Sequence, residues 1–173
     1  MLPRLLLPPD MPGLADLDVP RDLYWVLAGP APLAGMAYPA WPARWNEMHA
    51  AGFRHVICLV RDAFPYAPPP LNPLHAVALE DLYGDLTPTD PPAERRKIVA
   101  AAAIAQERLA RGEGVIVHCA GGTGRTGTVI GCILRGLGLS AAEALAYLNR
   151  LHQSRGHDGW PESGWQATVV EEL

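Results

Sequence analysis

The chain has 173 residues, of which 18% are charged and 49% hydrophobic, a composition typical of one globular domain and too poor in charge for a disordered chain. Its net charge of −4 excludes a global basic field that would recruit nucleic acid or an anionic membrane. Three widely spaced cysteines form no disulfide framework, and the longest apolar run, residues 98–105, is too short to span a bilayer. We therefore expect a cytoplasmic protein with neither nucleic-acid nor membrane partners.

The first part of the chain contains an arm and two short strands. Residues 1–20 hold five prolines and are predicted to form an N-terminal arm on the surface, while residues 21–173 form a single domain. The run 23–28 has β-character, and a second strand at 33–37 would pair with it in antiparallel fashion. Apolar residues at helical spacing then predict a helix over 41–51.

The middle of the chain alternates between apolar runs and proline-rich stretches. Residues 54–60, which end in the continuous apolar run 56–60, are predicted to form a strand buried on both faces. Five prolines between residues 64 and 73 predict a stiff, irregular loop, and a further strand is expected at 75–79. Asp90 then precedes two prolines and is predicted to cap a helix over 93–110.

The last part predicts a short central strand at 114–118, followed by helices. Their predicted ranges are 126–137, 140–151 and 163–172. Ser140 and Glu143 are predicted to form a capping box at the start of the second of these helices. Strands alternating with helices indicate an α/β fold with a central, mostly parallel sheet flanked by helices. Since ligands of such sheets lie at the carboxyl ends of the strands, function is expected just after residue 118.

The segment after that strand combines several features of a phosphate site. Cys119 stands where the buried strand ends, and Arg125 and Thr126 begin the next helix. Glycines let the backbone N–H groups of the loop turn inward, and the helix N-terminus adds free N–H groups. An arginine fork binds two phosphate oxygens, and this positive environment favours the thiolate form of a cysteine. The residues of the cradle would be Ala120, Gly121, Gly122, Thr123, Gly124 and Arg125.

Other interpretations of this loop are weaker. A plain strand-to-helix turn with a buried cysteine would not need the whole ordered set of residues. A Walker A loop is excluded, because the Gly-Lys-Ser/Thr ending is missing. Rhodanese-type sulfurtransferases and related arsenate reductases also pair a cysteine loop with an arginine, but their loops rarely carry these glycines.

The motif His118-Cys119-x-x-Gly122-x-Gly124-Arg125-Thr126-Gly127 resembles the signature of the cysteine-dependent protein tyrosine and dual-specificity phosphatases. The order of strands and helices from about residue 23 onward is similar to the compact dual-specificity type. Residues 33–39 also resemble a segment of the branch that includes the kinase-associated phosphatases. The resemblance implies a protein tyrosine phosphatase-like fold with a Cys-x5-Arg loop between a central strand and a helix.

The resemblance also implies a role for each matching residue. Cys119 would attack phosphorus and form a phosphocysteine, while the loop backbone and the Arg125 side chain hold the phosphoryl oxygens. The Thr126 hydroxyl would stabilise the thiolate when it leaves. His118 would support Cys119 through hydrogen bonds without titrating in the reaction.

A general acid and a water-positioning residue complete the implied machinery. The family places its acid on a loop upstream of the cysteine, which leaves two candidates here, Asp81 and Asp85. Asp81 is favoured because it directly follows the predicted strand, while Asp85 stays open because Pro88 lies close after it. Gln166 resembles a family glutamine that positions the hydrolytic water, although a solvated glutamine on a terminal helix fits the sequence equally well.

The loop also bears on the substrate. No basic residue lies between Cys119 and Arg125, and Lys97 is the only lysine, which argues against an inositol phospholipid. A phosphorylated protein or peptide is favoured, with phosphotyrosine preferred if the pocket is deep. Tyr66 would wall such a pocket or else pack against prolines. The alternatives are a non-catalytic phosphoprotein-binding module and a phosphatase of non-protein phosphomonoesters.

The remaining cysteines and histidines suggest no further chemistry. Cys58 lies in a predicted buried strand and Cys132 in a predicted helix, so both are expected in the core. His152 and His157 flank a glycine turn without a thiol partner, and no spacing indicates a metal site. We therefore expect neither a metal nor a cofactor.

Overall fold

The computed structural model describes residues 2–39 and 43–173, and a mixed sheet lies at its centre. The strands are β1 (Leu23–Leu27), β2 (Leu33–Met36), β3 (Phe53–Cys58), β4 (Asn72–Ala76) and β5 (Gly114–His118). Their order across the sheet is β1-β2-β5-β3-β4, with β1 antiparallel to β2 and every other pair parallel. Since β5 occupies the middle, the residues after His118 emerge at the centre of the carboxyl edge.

Helices cover both faces of this sheet. They are α1 (Trp45–Ala50), α2 (Pro91–Ala110), α3 (Gly124–Gly136), α4 (Ala141–Ser154) and α5 (Gly164–Glu171). Buried residues of α2 to α5 form the larger core cluster against one face, and α1 packs against the other. In the described ranges, no helix is both long enough and apolar enough to cross a membrane.

This architecture confirms the predicted α/β fold with a mostly parallel sheet between helices. Two predicted helix starts are also confirmed in detail. The Asp90 carboxylate accepts a hydrogen bond from the Ala93 N–H at 3.0 Å, and Ser140 and Glu143 form a reciprocal capping box. These caps satisfy N–H groups that a helix start otherwise leaves without partners.

The prediction for β4 was wrong by three residues. The strand spans Asn72–Ala76, so it begins inside the predicted loop 64–73 and ends before the predicted range 75–79 does. Pro73 is tolerated because β4 is an edge strand whose register with β3 shifts nearby. Asp81 therefore does not directly follow a strand, although the Leu79 N–H still donates to the Leu59 carbonyl at 3.0 Å.

The other boundaries shift by smaller amounts. The strand predicted at 54–60 spans Phe53–Cys58, and α3 begins at Gly124, two residues before the predicted start. The helix predicted over 41–51 is α1, which begins at Trp45, and the predicted positions 41 and 42 lie outside the described residues.

The N-terminal arm is anchored at Leu6, which is buried. The Leu6 N–H donates to the Val26 carbonyl at 3.0 Å, and the Tyr147 hydroxyl donates to the Leu6 carbonyl at 2.8 Å. The arm thereby contacts the free edge of β1, an edge that would otherwise present unpaired backbone groups.

Candidate active site

The loop between β5 and α3 carries a buried thiol near the N-terminus of α3. Cys119 is 2% exposed, and its Sγ accepts the Gly122 N–H at 3.3 Å. Helix α3 begins at Gly124, so its first N–H groups, which have no partner within the helix, lie at the end of this loop. Thiol, loop amides and the positive end of the helix dipole are thus brought together, an arrangement suited to an anion.

Two glycines, Gly122 in this loop and Gly127 in the first turn of α3, are required by close backbone and side-chain approaches. Gly122 has φ +76°, and a Cβ there would lie 2.7 Å from the Met36 carbonyl oxygen. A Cβ at Gly127 would lie 2.5 Å from Nε1 of Trp160, which donates to the Gly124 carbonyl at 3.2 Å. The glycines therefore permit both the curl of the loop and the close packing beneath it.

Arg125 lies at the start of α3 and contacts the segment after β4. Its Nη1 donates to the Leu79 carbonyl at 3.5 Å, and its Nη2 lies 3.2 Å from Oδ2 of Asp81. The Arg125 side chain is only 12% exposed, and its buried Nε–H has no partner among the described residues. A cation and a carboxylate from distant parts of the sequence thus meet beside the loop.

The two candidate acids occupy different surroundings. Asp81 is half-exposed, pairs with Arg125 and accepts a hydrogen bond from the Tyr83 hydroxyl at 3.2 Å. Asp85 is exposed, and among the described residues its side chain makes no hydrogen bond or ion pair with Arg125 or the loop. The structure therefore brings Asp81, and not Asp85, to the cysteine loop.

A buried glutamate supports the segment that carries Asp81. Glu94 is 2% exposed, and its carboxylate accepts the Glu80 N–H at 2.6 Å and the Lys97 ammonium at 3.1 Å. The Glu80 carboxylate in turn accepts the Thr89 N–H at 2.9 Å. Sequence reasoning missed this network, because a glutamate in the first turn of a helix is also the ordinary preference of helix N-termini.

A second missed carboxylate belongs to Glu162, which precedes α5 and lies against Gly124. Burial raises the pKa of Glu162 above its usual value, and the negative charge of Asp81 adds to this rise. The Arg125 guanidinium and the Gly124 N–H oppose it. Glu162 therefore lies within electrostatic reach of both Asp81 and Arg125.

His118 is fully buried beneath the loop. Its Nδ1 lies 3.2 Å from the Cys119 carbonyl, and its Nε2 makes a short hydrogen bond with the Tyr66 hydroxyl. Burial lowers the pKa of His118 to about 4, so the ring is neutral near pH 7. Tyr66 also stacks on Trp45 with a centroid distance of 5.4 Å, so it does more than pack against prolines.

Tyr38 extends this aromatic group to the surface. Its side chain is exposed, its ring centroid lies 5.7 Å from that of His118, and its N–H donates to the Ala120 carbonyl at 2.8 Å. Tyr38 was not singled out from the sequence, because a lone tyrosine before a proline carries no signal of its neighbours.

Gln166 is 2% exposed, so the solvated interpretation of this residue was wrong. Its Oε1 accepts the N–H groups of Glu162 at 2.9 Å and Ser163 at 3.2 Å, which completes a capping box at α5. Its Nε2 faces Gly124, where an added Cβ would lie 2.9 Å away. Gln166 therefore both caps a helix and lies beside the loop.

Thr126 and the other two cysteines are also buried. The Thr126 hydroxyl, in the first turn of α3, has no hydrogen-bond partner among the described residues. Cys58 and Cys132 are free thiols in the core, as predicted, and burial raises the pKa of Cys132 to about 12. Cys119 is therefore the thiol that the fold presents to the anion-accepting loop.

Comparison with known proteins identifies the family. The family model for the Swiss Army Knife type of DSP-PTPase phosphatase domain, PTP-SAK, matches residues 20–158, which is more than half of the chain. The chain belongs to this family of dual-specificity and protein tyrosine phosphatase domains. It is therefore a phosphatase, as the loop motif predicted, and the sulfurtransferase alternative is not favoured.

Solved structures share the fold. Tk-PTP in the active form is 27% identical with a TM-score of 0.58, and the match covers 82% of this chain and 90% of that one. A kinase associated phosphatase (KAP) with its catalytic site cysteine substituted by serine is 19% identical, with a TM-score of 0.54 and coverage of 82% and 84%. PTPMT1 in complex with PI(5)P is 18% identical, with a TM-score of 0.58 and coverage of 86% and 92%.

Proposed function

We propose that this phosphatase hydrolyses phosphotyrosine, and to a lesser extent phosphoserine or phosphothreonine, in proteins or peptides through a phosphocysteine on Cys119. The observation that carries the proposal is the convergence of a buried thiol, the loop amides and the Arg125–Asp81 pair at the N-terminus of α3. These are the nucleophile, the oxyanion donors and the acid that transfer of a phosphoryl group requires.

In the first step, the Cys119 thiolate attacks phosphorus and forms an S–P bond while the P–O bond to the leaving group breaks. The loop N–H groups and the Arg125 fork hold the three equatorial oxygens of the in-line transition state. Protonated Asp81 gives its proton to the departing oxygen, which leaves as a neutral alcohol or phenol. The 3.2 Å distance between Arg125 Nη2 and Asp81 Oδ2 supports this role by placement, because it puts the acid beside the group that would hold the phosphoryl oxygens.

In the second step, water attacks phosphorus, the S–P bond breaks, and the Asp81 carboxylate accepts the proton of the water. The unpartnered hydroxyl of Thr126 is a suitable donor to the departing thiolate. Gln166 is a suitable group to orient the water, since its Nε2 faces Gly124 while its Oε1 is held by the cap of α5. His118 stays neutral and supports the loop through the Cys119 carbonyl.

Local charge favours a substrate with a single phosphate. The side chains between Cys119 and Arg125 are uncharged, and two carboxylates, Asp81 and Glu162, lie near the arginine. A second phosphate group close to the first would meet these carboxylates without a compensating cation from the loop. The exposed ring of Tyr38, next to Ala120, offers an aromatic surface for a phenyl group.

The proposal is tested with a panel of substrates at equal concentration: a phosphotyrosine peptide, the same peptide with phosphoserine, and PI(5)P in detergent micelles. We expect kcat/KM for the phosphotyrosine peptide to exceed that for both others by about tenfold or more, a difference of about 1.4 kcal/mol in transition-state stabilisation. Cys119→Ser should abolish hydrolysis of all three.

Each alternative has its own outcome. Faster hydrolysis of PI(5)P would assign a non-protein substrate instead. Tight binding of the phosphotyrosine peptide without turnover by the wild type would indicate a binding module. Equal rates for wild type and Cys119→Ser would remove the phosphocysteine mechanism.

A further inference from the structure

Tyr24 reaches the cysteine loop from two strands away. It lies in β1, and its hydroxyl donates to the Gly122 carbonyl at 2.6 Å. Its ring passes over Gly35, which is its direct partner in β2, and a Cβ at Gly35 would overlap the ring. The absence of a side chain at this position of β2 therefore opens the path between Tyr24 and the loop.

Both backbone polar groups of Gly122 are engaged, each with a different side chain. Its N–H points to Sγ of Cys119 at 3.3 Å, and its carbonyl points to the Tyr24 hydroxyl. A loop that binds an anion must keep its carbonyl oxygens turned away, because their partial negative charge would repel the ligand. Gly122 has positive φ and no side chain, so local sterics alone do not fix the orientation of the peptide between Gly122 and Thr123.

Burial keeps the Tyr24 hydroxyl protonated, so that it can donate a hydrogen bond. Its side chain is completely buried, and burial raises the pKa of Tyr24 well above its usual value. Arg155 opposes this effect only in part. The phenol therefore keeps its proton near neutral pH, and its O–H faces the Gly122 carbonyl as a donor.

Arg155 also packs on the Tyr24 ring. Its guanidinium carbon lies 3.9 Å from the centroid of the Tyr24 ring, within the range of a cation–π interaction. Its Nε donates to the Pro20 carbonyl at 2.9 Å, and its Nη1 donates to Nδ1 of His152 at 2.8 Å. His152 accepts because it is neutral: burial lowers its pKa to about 3. The Tyr24 ring is thus in contact with both Gly35 and Arg155.

We infer that Tyr24 is a positioning residue of the phosphate loop: it holds the Gly122 carbonyl outward so that the loop N–H groups face the anion. Gly35 and Arg155 serve this role by fixing the ring. The inference rests on the proposed function of the loop as a phosphate cradle, and it adds a part of the machinery that lies outside the signature motif.

The test compares Tyr24→Phe with a matched control, Tyr147→Phe. Tyr147 is also buried and also donates its hydroxyl to a backbone carbonyl, but to one outside the loop, that of Leu6 at 2.8 Å. Each variant loses one buried hydrogen bond of the same kind, so a general loss of stability should be similar. The readouts are the Kd for tungstate, a phosphate analogue, and kcat and KM for p-nitrophenyl phosphate.

We expect Tyr24→Phe to raise the tungstate Kd and to lower kcat/KM, each by about tenfold, a change that corresponds to one hydrogen bond. Tyr147→Phe should stay within about twofold of wild type in both readouts. Gly35→Ala, which retains the hydroxyl but displaces the ring, should weaken tungstate binding in the same direction as Tyr24→Phe.

Two outcomes would overturn the inference. If Tyr24→Phe binds tungstate and turns over substrate as wild type does, or if Tyr147→Phe loses as much, Tyr24 does not position the loop. If the wild type itself binds no tungstate, the proposed function fails and this inference fails with it. If the wild type binds tungstate and Tyr24→Phe binds it equally well, only this inference fails.

Discussion

Asp81 and Asp85 lie four residues apart, and the sequence alone left the general acid open between them. Asp81 pairs with Arg125 at 3.2 Å, whereas Asp85 is exposed in a turn whose neighbour Gly84 donates its N–H to the Glu162 carbonyl at 2.8 Å. At the scale of single residues, contact with the arginine distinguishes two carboxylates that are otherwise similar.

Asp81→Asn removes the proposed proton donor while keeping the size of the side chain. Because general acid catalysis contributes about 10²–10⁴-fold, we expect kcat for a phosphotyrosine peptide to fall by about 10²-fold or more, with a much smaller change in KM. Asp85→Asn is the control and should stay within about twofold in steady-state assays near neutral pH. A larger loss in Asp85→Asn would assign the acid to Asp85.

Glu162→Gln tests a consequence of the raised pKa of Glu162. An acid whose pKa is raised on folding favours the folded state only while it is protonated, so this stability is lost as the pH rises through the folded pKa. Gln is permanently neutral and retains an acceptor for the Gly124 N–H. The variant should therefore melt about 1–3 °C above wild type at pH 7, a small gain because Glu162 is only half-buried.

The comparison at low pH is the control for this prediction. Near pH 4 both side chains are largely neutral, so the difference in melting temperature should shrink toward zero. A variant that is less stable than wild type at pH 7 and unchanged at pH 4 would mean that attraction to Arg125 outweighs burial.

At the scale of elements, the connection between β4 and α2 is irregular and is held by Glu94. Its carboxylate accepts the Glu80 N–H and pairs with Lys97, whose ammonium also donates to the Ala78 carbonyl at 3.1 Å. Glu94 thus fixes the backbone on the N-terminal side of Asp81. No regular strand reaches Asp81. The buried Glu94 carboxylate therefore takes the place of the strand hydrogen bonds that would otherwise position Asp81.

Glu94→Ala should leave the Glu80 N–H without a partner, and the connection between β4 and α2 should become less ordered. We expect a loss of about 2–3 kcal/mol in the free energy of unfolding and a decrease in kcat larger than any change in KM. Glu107→Ala is a matched control in the same helix, because Glu107 is half-exposed and pairs with Arg111. It should change stability by no more than about 0.5 kcal/mol in urea titrations, and equal losses in both variants would contradict this role.

The sequence predicted elements well where their determinants are local. The segment from β5 through the loop to α3 is contiguous, and the caps at Asp90 and Ser140 lie within three residues of the groups they satisfy. The edge strand β4 was misplaced because its proline is compatible with an edge but not with a central strand, a distinction that depends on the sheet order.

At the scale of the whole molecule, the site collects groups from distant segments. Tyr24 lies 98 residues from Gly122 in sequence, and Arg125 lies 46 residues from Leu79. Cys119 and Arg125 were predictable because a single loop contains both. Tyr24, Glu94 and Glu162 were not, because no local pattern reveals which distant side chain will satisfy a given carbonyl, N–H or charge.

The family places the chain among phosphatases, and the proposed route of the phosphoryl group passes through Cys119. The most direct measurement is mass spectrometry of the enzyme quenched with acid during turnover of a phosphotyrosine peptide. We predict one added phosphoryl group on the peptide that contains Cys119 in the wild type, accumulating further in Gln166→Ala, and none in Cys119→Ser. A phosphoryl group on another residue, or active turnover by Cys119→Ser, would contradict the proposed phosphocysteine on Cys119.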